Sequence, residues 1–502
     1  MPVHAARGTG WSSTAGRVLG RALIGPLAGQ LPPGLVDEVL AECGAVQRRF
    51  RLLPSRLGVY FVLGLCLFRG LGYPAVLREL TGGLEGQLAA AGWSCPSPTA
   101  LSRLRGRLGE APFAALLGRL ASPLALAGGP GSRACGLTVV GWDGTLLEVP
   151  ASGANVAALG RQRGTHYPQI RLVALVACGT RAVLAAAFGA GAERELAAGL
   201  TGALGRGMLL LADRGFFSRG LWRQAAGTGA DLLWRVKGNL QLPVLRVLPD
   251  GSCLSVLLSP DDARRAANRR HYRKTSARSR RAVAPRPAPA GIPVRVIAFA
   301  LTVTASDGTA RTESYRLLTT LLDPAAAPAA ELAAVYARRW AVETAFQELK
   351  TYLRGGPGAV LRSGDPAGIR QELWAFLVIY QAIRIVICAA AVGASLDPGQ
   401  VSFTAALHAI RHHARRGDPA ATLAAVEAGI LDARCLVRHR PGRAYPRITR
   451  RAAAGPSPAG AAVPAPLPRR QTCAITITPP TPAPCTGPDQ PRQQRRHPEA
   501  SP

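Results

Sequence analysis

Lysine is almost absent from this chain. It occurs only at Lys237, Lys274 and Lys350, although Lys and Arg together number 61. Acidic residues are also few, 29 in all, which leaves a formal net charge of +32 over 502 residues. The near-exclusive use of arginine fits a GC-rich genome favouring Arg, Ala, Gly and Pro codons. A lysine kept against that bias, such as Lys350, is less readily incidental. The ten cysteines include no Cys-x-x-Cys pair, which excludes a zinc ribbon or a dithiol redox motif. Several sit in apolar runs and read as small core residues. The first residues, Met-Pro-Val-His-Ala-Ala-Arg, lack the apolar core of a secretory leader, so the cytoplasm is the expected compartment. Neither end carries a basic amphipathic membrane anchor, and no internal repeat is found. So large an unbalanced charge repels itself unless a polyanion is near, and nucleic acid is the polyanion it implies.

The length predicts more than one domain, and a hydrophobic fraction of 48% is ample for packed cores. Residues 1–33 are Gly-rich and read as a flexible N-terminus. Residues 34–130 carry helical periodicity, with Val36, Val39, Leu40 and Cys43 on one stripe. Within them, Thr99 is placed to cap a short basic helix bearing Arg103, Arg105 and Arg107. Helix, tight turn and basic helix suggest a helix-turn-helix arrangement that contacts DNA; the competing reading is a helical bundle with a solvated Arg face. Gly128-Gly-Pro-Gly131 marks a linker.

Beyond it the period changes. Strands are expected at Leu137–Trp142, Leu146–Val149, Ile170–Ala177, Ala182–Phe188, Met208–Leu211 and Leu232–Val236. Helices are expected at Glu195–Leu204 and Phe216–Ala226. Strands, helix, strand, helix, strand is the layout of an RNase H-like α/β core, here residues 131–238. A β-rich insertion, 239–324, then interrupts it and contains the arginine-dense stretch Arg264–Arg286. Residues 325–430 return to helices, including one long helix from Ala329 to Leu353, and 431–502 read as a basic Pro/Arg-rich disordered tail. Leu373–Val392 has the length of a membrane span, but Gln381 and Arg384 near its middle are costly in lipid, so a buried helix is expected.

Three carboxylates carry the chemistry. Asp143 lies in Val-Val-Gly-Trp-Asp-Gly-Thr and Asp213 in Leu-Leu-Leu-Ala-Asp-Arg-Gly-Phe, each at the end of an apolar run. Glu343 lies in Tyr336-Ala-Arg-Arg339-Trp-Ala-Val-Glu343, followed by Lys350. Helical spacing puts Tyr336, Arg339, Glu343 and Lys350 on one broad face. Hard oxygen ligands suit divalent cations, and a pair of such ions roughly 3.5–4 Å apart serves phosphodiester chemistry. Without counter-charge, two carboxylates at 4 Å repel by about 4 kcal/mol at an effective dielectric of 20. Taken singly, each has an ordinary reading: Asp143 as a turn residue, Asp213 as a strand-end cap, Glu343 as the i+4 partner of Arg339. Their order and placement argue for them jointly. His408 and His412 have zinc-compatible spacing but no third ligand, and Glu193 and Glu195 read as dipole partners at a helix start.

Asp143-Gly-Thr, Asp213-Arg-Gly-Phe and the ungapped Tyr336-x2-Arg339-x3-Glu343-x6-Lys350 resemble the IS4 family of DDE transposases, whose Y-R-E-K signature the last reproduces. The resemblance spans about residues 35–430, including Leu361-Arg-Ser and Gln371-Glu-Leu-Trp; the tail beyond 450 lies outside it. It implies that Asp143, Asp213 and Glu343 coordinate two Mg²⁺ ions, with Mn²⁺ able to substitute. It implies that Tyr336, Arg339 and Lys350 hold DNA phosphates, with Arg214 beside them. It further implies cleavage and strand transfer at transposon terminal inverted repeats, joining to target DNA, and a homodimer on paired ends, with no membrane involved. An insertion aromatic stacks on a flipped base in some relatives; Tyr272 and Trp234 are the candidates. The alternatives are a catalytically silent DNA-binding descendant, against which the intact motifs speak, and an RNase H-like nuclease, against which the N-terminal helical region and the insertion speak.

Overall fold

The computed structural model describes residues 14–19, 24–47, 53–126, 131–161, 164–259, 264, 291–305, 308–356, 358–414, 419–437 and 471–480. Seven helices come first: α1 (Thr14–Leu19), α2 (Pro33–Glu42), α3 (Ser55–Leu67), α4 (Tyr73–Leu80), α5 (Glu85–Ala90), α6 (Pro98–Leu108) and α7 (Ala111–Leu126). The flexible reading of residues 1–33 is corrected for its described part. Leu19, Ile24, Leu27 and Leu31 are buried in the core, so hydrophobic burial outweighs the local glycine content. Ser97, not Thr99, caps α6: its Oγ accepts the Ala100 N–H, and Pro98 opens the first turn.

The sheet follows: β1 (Arg133–Ala134), β2 (Leu137–Glu148), β3 (Gln169–Ala177), β4 (Val183–Gly189), β5 (Met208–Ala212) and β6 (Asp231–Arg235), with helices α8 (Gly153–Leu159), α9 (Glu193–Gly199) and α10 (Arg219–Ala226) between them. Spatial order is β4-β3-β2-β5-β6. β2, β3 and β4 pair antiparallel, while β5 runs parallel to β2 and β6 parallel to β5. That is the RNase H-like topology. Two strands expected on either side of a turn at Asp143 are instead the single strand β2, because β3 pairs with it continuously through Asp143↔Ala174. Alternation divides the faces. Leu210 and Ala212 join Trp142, Trp222 and Trp234 on one side, whereas Leu209 and Leu211 pack with Leu332, Val335 and Tyr336 on the other.

The insertion contributes β7 (Arg246–Val247), β8 (Cys253–Leu258), β9 (Gly291–Ala305) and β10 (Ala310–Thr319). It extends the core sheet rather than forming a separate one, since β10 pairs antiparallel with β6. Arg264–Arg286 lies outside the described residues apart from Arg264. In the tail, Gln471–Ile477 forms β11, antiparallel to β9, which corrects the reading of uniform disorder there.

The expected long helix is interrupted twice. It runs as α11 (Ala329–Tyr336), a 3₁₀ turn (Ala337–Arg339), α12 (Trp340–Gln347) and a π-helical turn (Glu348–Leu353). Three helices close the described fold: α13 (Pro366–Gly393), α14 (Phe403–His413) and α15 (Pro419–Ile430). α13 is long and apolar enough to cross a membrane by length and composition, but 83% of its most apolar window is buried within the protein. The two polar residues near its middle find partners there, with Arg384 Nη1 left 3.8 Å from Glu348 Oε1. Gln381 accepts the Val183 N–H at 3.0 Å, and Arg384 Nε donates to Thr180 O at 2.9 Å.

Candidate active site

β2 and β5 stay paired as far as Gly141↔Leu211. Asp143 and Asp213 each lie two residues beyond that last pair, so the parallel register carries both carboxylates to the same edge of the sheet. Glu343 arrives from α12. Gly141 lets it come close: a Cβ there would meet Val342 Cγ2 at 3.0 Å, so a larger residue would press on the helix at this depth. Tyr336 anchors the preceding turn, its phenol donating to Ala212 O at 3.3 Å, one residue before Asp213.

Arg339 sits at the centre. The 3₁₀ turn directs it inward, and its Nη1 donates to Asp143 Oδ2 at 2.9 Å while its Nη2 donates to Glu343 Oε1 at 3.0 Å. Its side chain is 10% exposed, against 21% for Asp143 and 25% for Glu343. Burial pushes the Asp143 carboxyl above its usual range; Arg339 and the Gly144 N–H oppose this, and the Asp213 charge adds to it. Burial works against the Arg339 cation, but Tyr336, Asp143, Asp213 and Glu343 together outweigh it and hold the guanidinium firmly charged. Burial also raises the Tyr336 phenol, leaving it a neutral donor.

The structure therefore gathers Asp143 and Glu343 on one guanidinium, with Asp213 electrostatically coupled to both Asp143 and Arg339. Among the described residues no three Asp, Glu, His or Cys side chains are drawn together tightly enough to hold a metal ion. The donor set nevertheless fits a hard divalent cation: carboxylate oxygens at a sheet edge, with a cation already between two of them. Arg339 holds the counter-charge that the acidic cluster requires.

Lys350 lies on the π-helical turn and donates to Thr145 Oγ1 at 2.9 Å, on the same strand as Asp143. Burial and the neighbouring Arg354 lower its pKa. Arg214, beside Asp213, is exposed. The N-terminal arginines divide: Arg103 and Arg107 are exposed, but Arg105 is not a surface contact. It is 8% exposed and donates to Gln371 Oε1, Tyr73 Oη and Ser363 Oγ, joining α6 to α13. Trp234 is fully buried in the core, so it is removed as a base-stacking candidate, and Tyr272 lies outside the described residues. Glu193 and Glu195 both lie in the first turn of α9, as expected; Glu195 accepts the Ala192 N–H there, and Glu193 also pairs with Arg171 at 3.0 Å.

Two positioning residues escaped the sequence reading. Asp250, in the insertion, accepts the Ala329 N–H at 2.9 Å and so caps α11, whose N-cap Pro328 has no side-chain acceptor and which leads through the 3₁₀ turn into the Glu343 helix. Asp250 is paired in turn with the fully buried Arg295. Glu348 binds Arg181 at 2.6 Å and accepts the Tyr380 phenol at 2.9 Å, fixing the π-helical turn to α13. A lone Asp before Gly, and a Glu in a helix, carried no signal of either role.

An RNase H-like sheet with Asp143 within β2, Asp213 just past the end of β5 and Glu343 on the helix packed against them is the arrangement of a DDE-type enzyme. Residues 21–118 match the family described as the insertion element 4 transposase N-terminal, and residues 136–380 match the transposase DDE domain. This chain belongs to the IS4 family of DDE transposases. It is 29% identical to transposase InsG for insertion sequence element IS4 of Escherichia coli strain K12, over 71% of this chain and 75% of that protein. A cryo-EM structure of the piggyBac transposase synaptic complex with hairpin DNA aligns over 86% of this chain and 87% of its own, at 10% identity and a TM-score of 0.37. The chain is thus an insertion-sequence transposase, acting on DNA with divalent metal ions.

Proposed function

We propose that this transposase cleaves DNA at the ends of its element and transfers those ends to target DNA, using Asp143, Asp213 and Glu343 as ligands for two Mg²⁺ ions. The observation that carries this reading is Arg339 bridging Asp143 and Glu343 beside the strand end that bears Asp213. Bound there, the ions supply a nucleophile at neutral pH and charge relief on the phosphoryl oxygens. The chain's own residues do the rest. Arg339 neutralises the carboxylates, and its planar fork would suit a phosphate if metal took over that charge. Tyr336 stays protonated and steadies Arg339 against β5. Lys350 and the exposed Arg214 flank the carboxylates and hold the backbone on either side of the scissile bond. Arg103 and Arg107 contact DNA from α6, whereas Arg105 holds that helix in place. The acting form is a homodimer on two paired element ends, in a bacterial cytoplasm on the nucleoid.

The test is nicking and strand transfer on DNA carrying the element's terminal repeats, with Mg²⁺ or Mn²⁺. Asp143→Asn, Asp213→Asn and Glu343→Gln each abolish both steps while leaving DNA binding largely intact. Strand transfer retained in all three rejects the assignment. Equal cleavage of random DNA by the wild type favours a nuclease, and binding without any cleavage favours a silent descendant.

A further inference from the structure

One turn beyond Lys350, away from the carboxylates, the molecule holds a cleft of about 630 Å³ lined by Arg69, Arg354 and Arg411 together with Phe68 and Tyr352. The three cations come from three parts of the chain: the turn after α3, the end of the π-helical turn, and α14. Arg354 is 5% exposed, yet its Nε and Nη1 are buried without a hydrogen-bond partner. Arg69 Nη1 is likewise buried and unpartnered, although its Nη2 donates to Val360 O at 2.7 Å. Arg411 spends Nε on Leu67 O at 2.7 Å. The nearest carboxylates do not bond to Arg354. Glu372 is taken up by the Arg362 and Ser363 N–H groups, and Glu148 acts on Arg354 only through its charge.

Burying guanidinium donors without partners is unfavourable, because each loses its water without a replacement. Burial, and then Arg69, pull the Arg354 pKa down to about 10, and burial lowers Arg69 and Arg411 as well. The backbone beside the cleft is glycine by necessity: Gly355 and Gly356 take φ of +100° and +95°. The chain therefore keeps close backbone and unpaired cations together at a cost to its own stability.

We propose that this cleft binds a DNA backbone phosphate, seated on Arg354, Arg69 and Arg411, that continues the phosphate track of Lys350 away from the scissile bond. The proposal rests on the reading of Lys350 as a phosphate contact and extends it to a subsite. The two charged oxygens of a phosphodiester monoanion match a guanidinium fork, and Tyr352 and Leu353 of the turn that carries Lys350 line the cleft. The bound strand then passes between the N-terminal helical region and the helix that carries Glu343, so DNA binding itself ties these two parts together.

The experiment has two arms, both on the full chain. Thermal melting is followed in inorganic phosphate against chloride at matched ionic strength, and binding of a duplex bearing the element's end is followed across a salt series. Wild type melts higher in phosphate. Arg354→Met loses that gain, melts higher than wild type in chloride because a buried unpaired charge is gone, and binds end DNA about tenfold more weakly. Its log K against log salt slope falls by about one. If Arg354→Met does not fold, Arg411→Met and Arg354→Lys are read in the same two arms. A phosphate gain equal in wild type and variant overturns the site. A phosphate gain lost in the variant with end-DNA affinity and salt slope unchanged overturns DNA as its source and leaves a free-anion site. Asp143→Asn separates this from the catalytic reading, since it keeps both responses while losing cleavage. Absent cleavage by wild type sinks the catalytic reading alone.

Discussion

Arg339 carries the electrostatics of the acidic site, and its removal exposes what the carboxylates cost. With the guanidinium gone, Asp143 and Glu343 face each other, and Asp213, uncompensated. Asp143 and Glu343 are about a fifth to a quarter exposed, so solvent screens part of the penalty. Arg339→Met is expected to lower stability by about 1–3 kcal/mol in metal-free buffer, and added Mg²⁺ should raise its melting temperature more than it raises that of wild type. Melting curves with and without metal check this; an equal metal response in both proteins would mean that Arg339 does not share the metal's place. At this scale the sequence pointed to Asp143, Asp213, Glu343, Arg339 and Lys350 through apolar runs and residue spacing, and the structure brings Arg339 against Asp143 and Glu343. The roles of Arg105 and Arg354 were not legible. In a chain this rich in arginine, which ones turn inward depends on contacts such as Arg105 with Gln371, far away in sequence.

Helices and strands were read with nearly correct centres, but their joints were not. β2 continues through Asp143 because β3 supplies a partner that local turn chemistry cannot anticipate. The interruptions at Ala337–Arg339 and Glu348–Leu353 follow from packing against β5 and α13 rather than from any helix-breaking residue. The joint at Gly141 is testable. Gly141→Ala forces its Cβ against Val342 and is expected to cost about 1–3 kcal/mol, with Val342→Ala in the same chain restoring part of it; additive losses in the double mutant cycle would deny the contact. Asp250 tests the cap. Burial works against its ionised form, but Ser252, the Ala329 N–H and Arg295 together hold its carboxyl below the usual range. A depressed carboxylate stabilises fully above its unfolded value and loses that contribution as pH falls through the folded one. The stability advantage of wild type over Asp250→Asn is therefore expected to be full at pH 7 and to shrink below about pH 4. Chemical denaturation at several pH values reads it, and an advantage independent of pH would remove Asp250 from this role.

Across the whole molecule, one sheet serves both the acidic site and the insertion, and the insertion caps α11, which leads into the Glu343 helix. The sequence marked the insertion by its β-rich composition and could not reveal its continuity with the core, because β6 to β10 pairing joins residues separated by a long arginine-dense segment. The net charge of +32 finds its physical sense in a polyanionic partner. The most direct measurement is the count of Mn²⁺ bound to the complex with end DNA, followed by electron paramagnetic resonance. Two ions per active site are expected in wild type, and at least one is lost in Asp143→Asn, Asp213→Asn and Glu343→Gln although each variant still binds the DNA. A variant missing any one of these carboxylates that retains both ions would contradict a shared site.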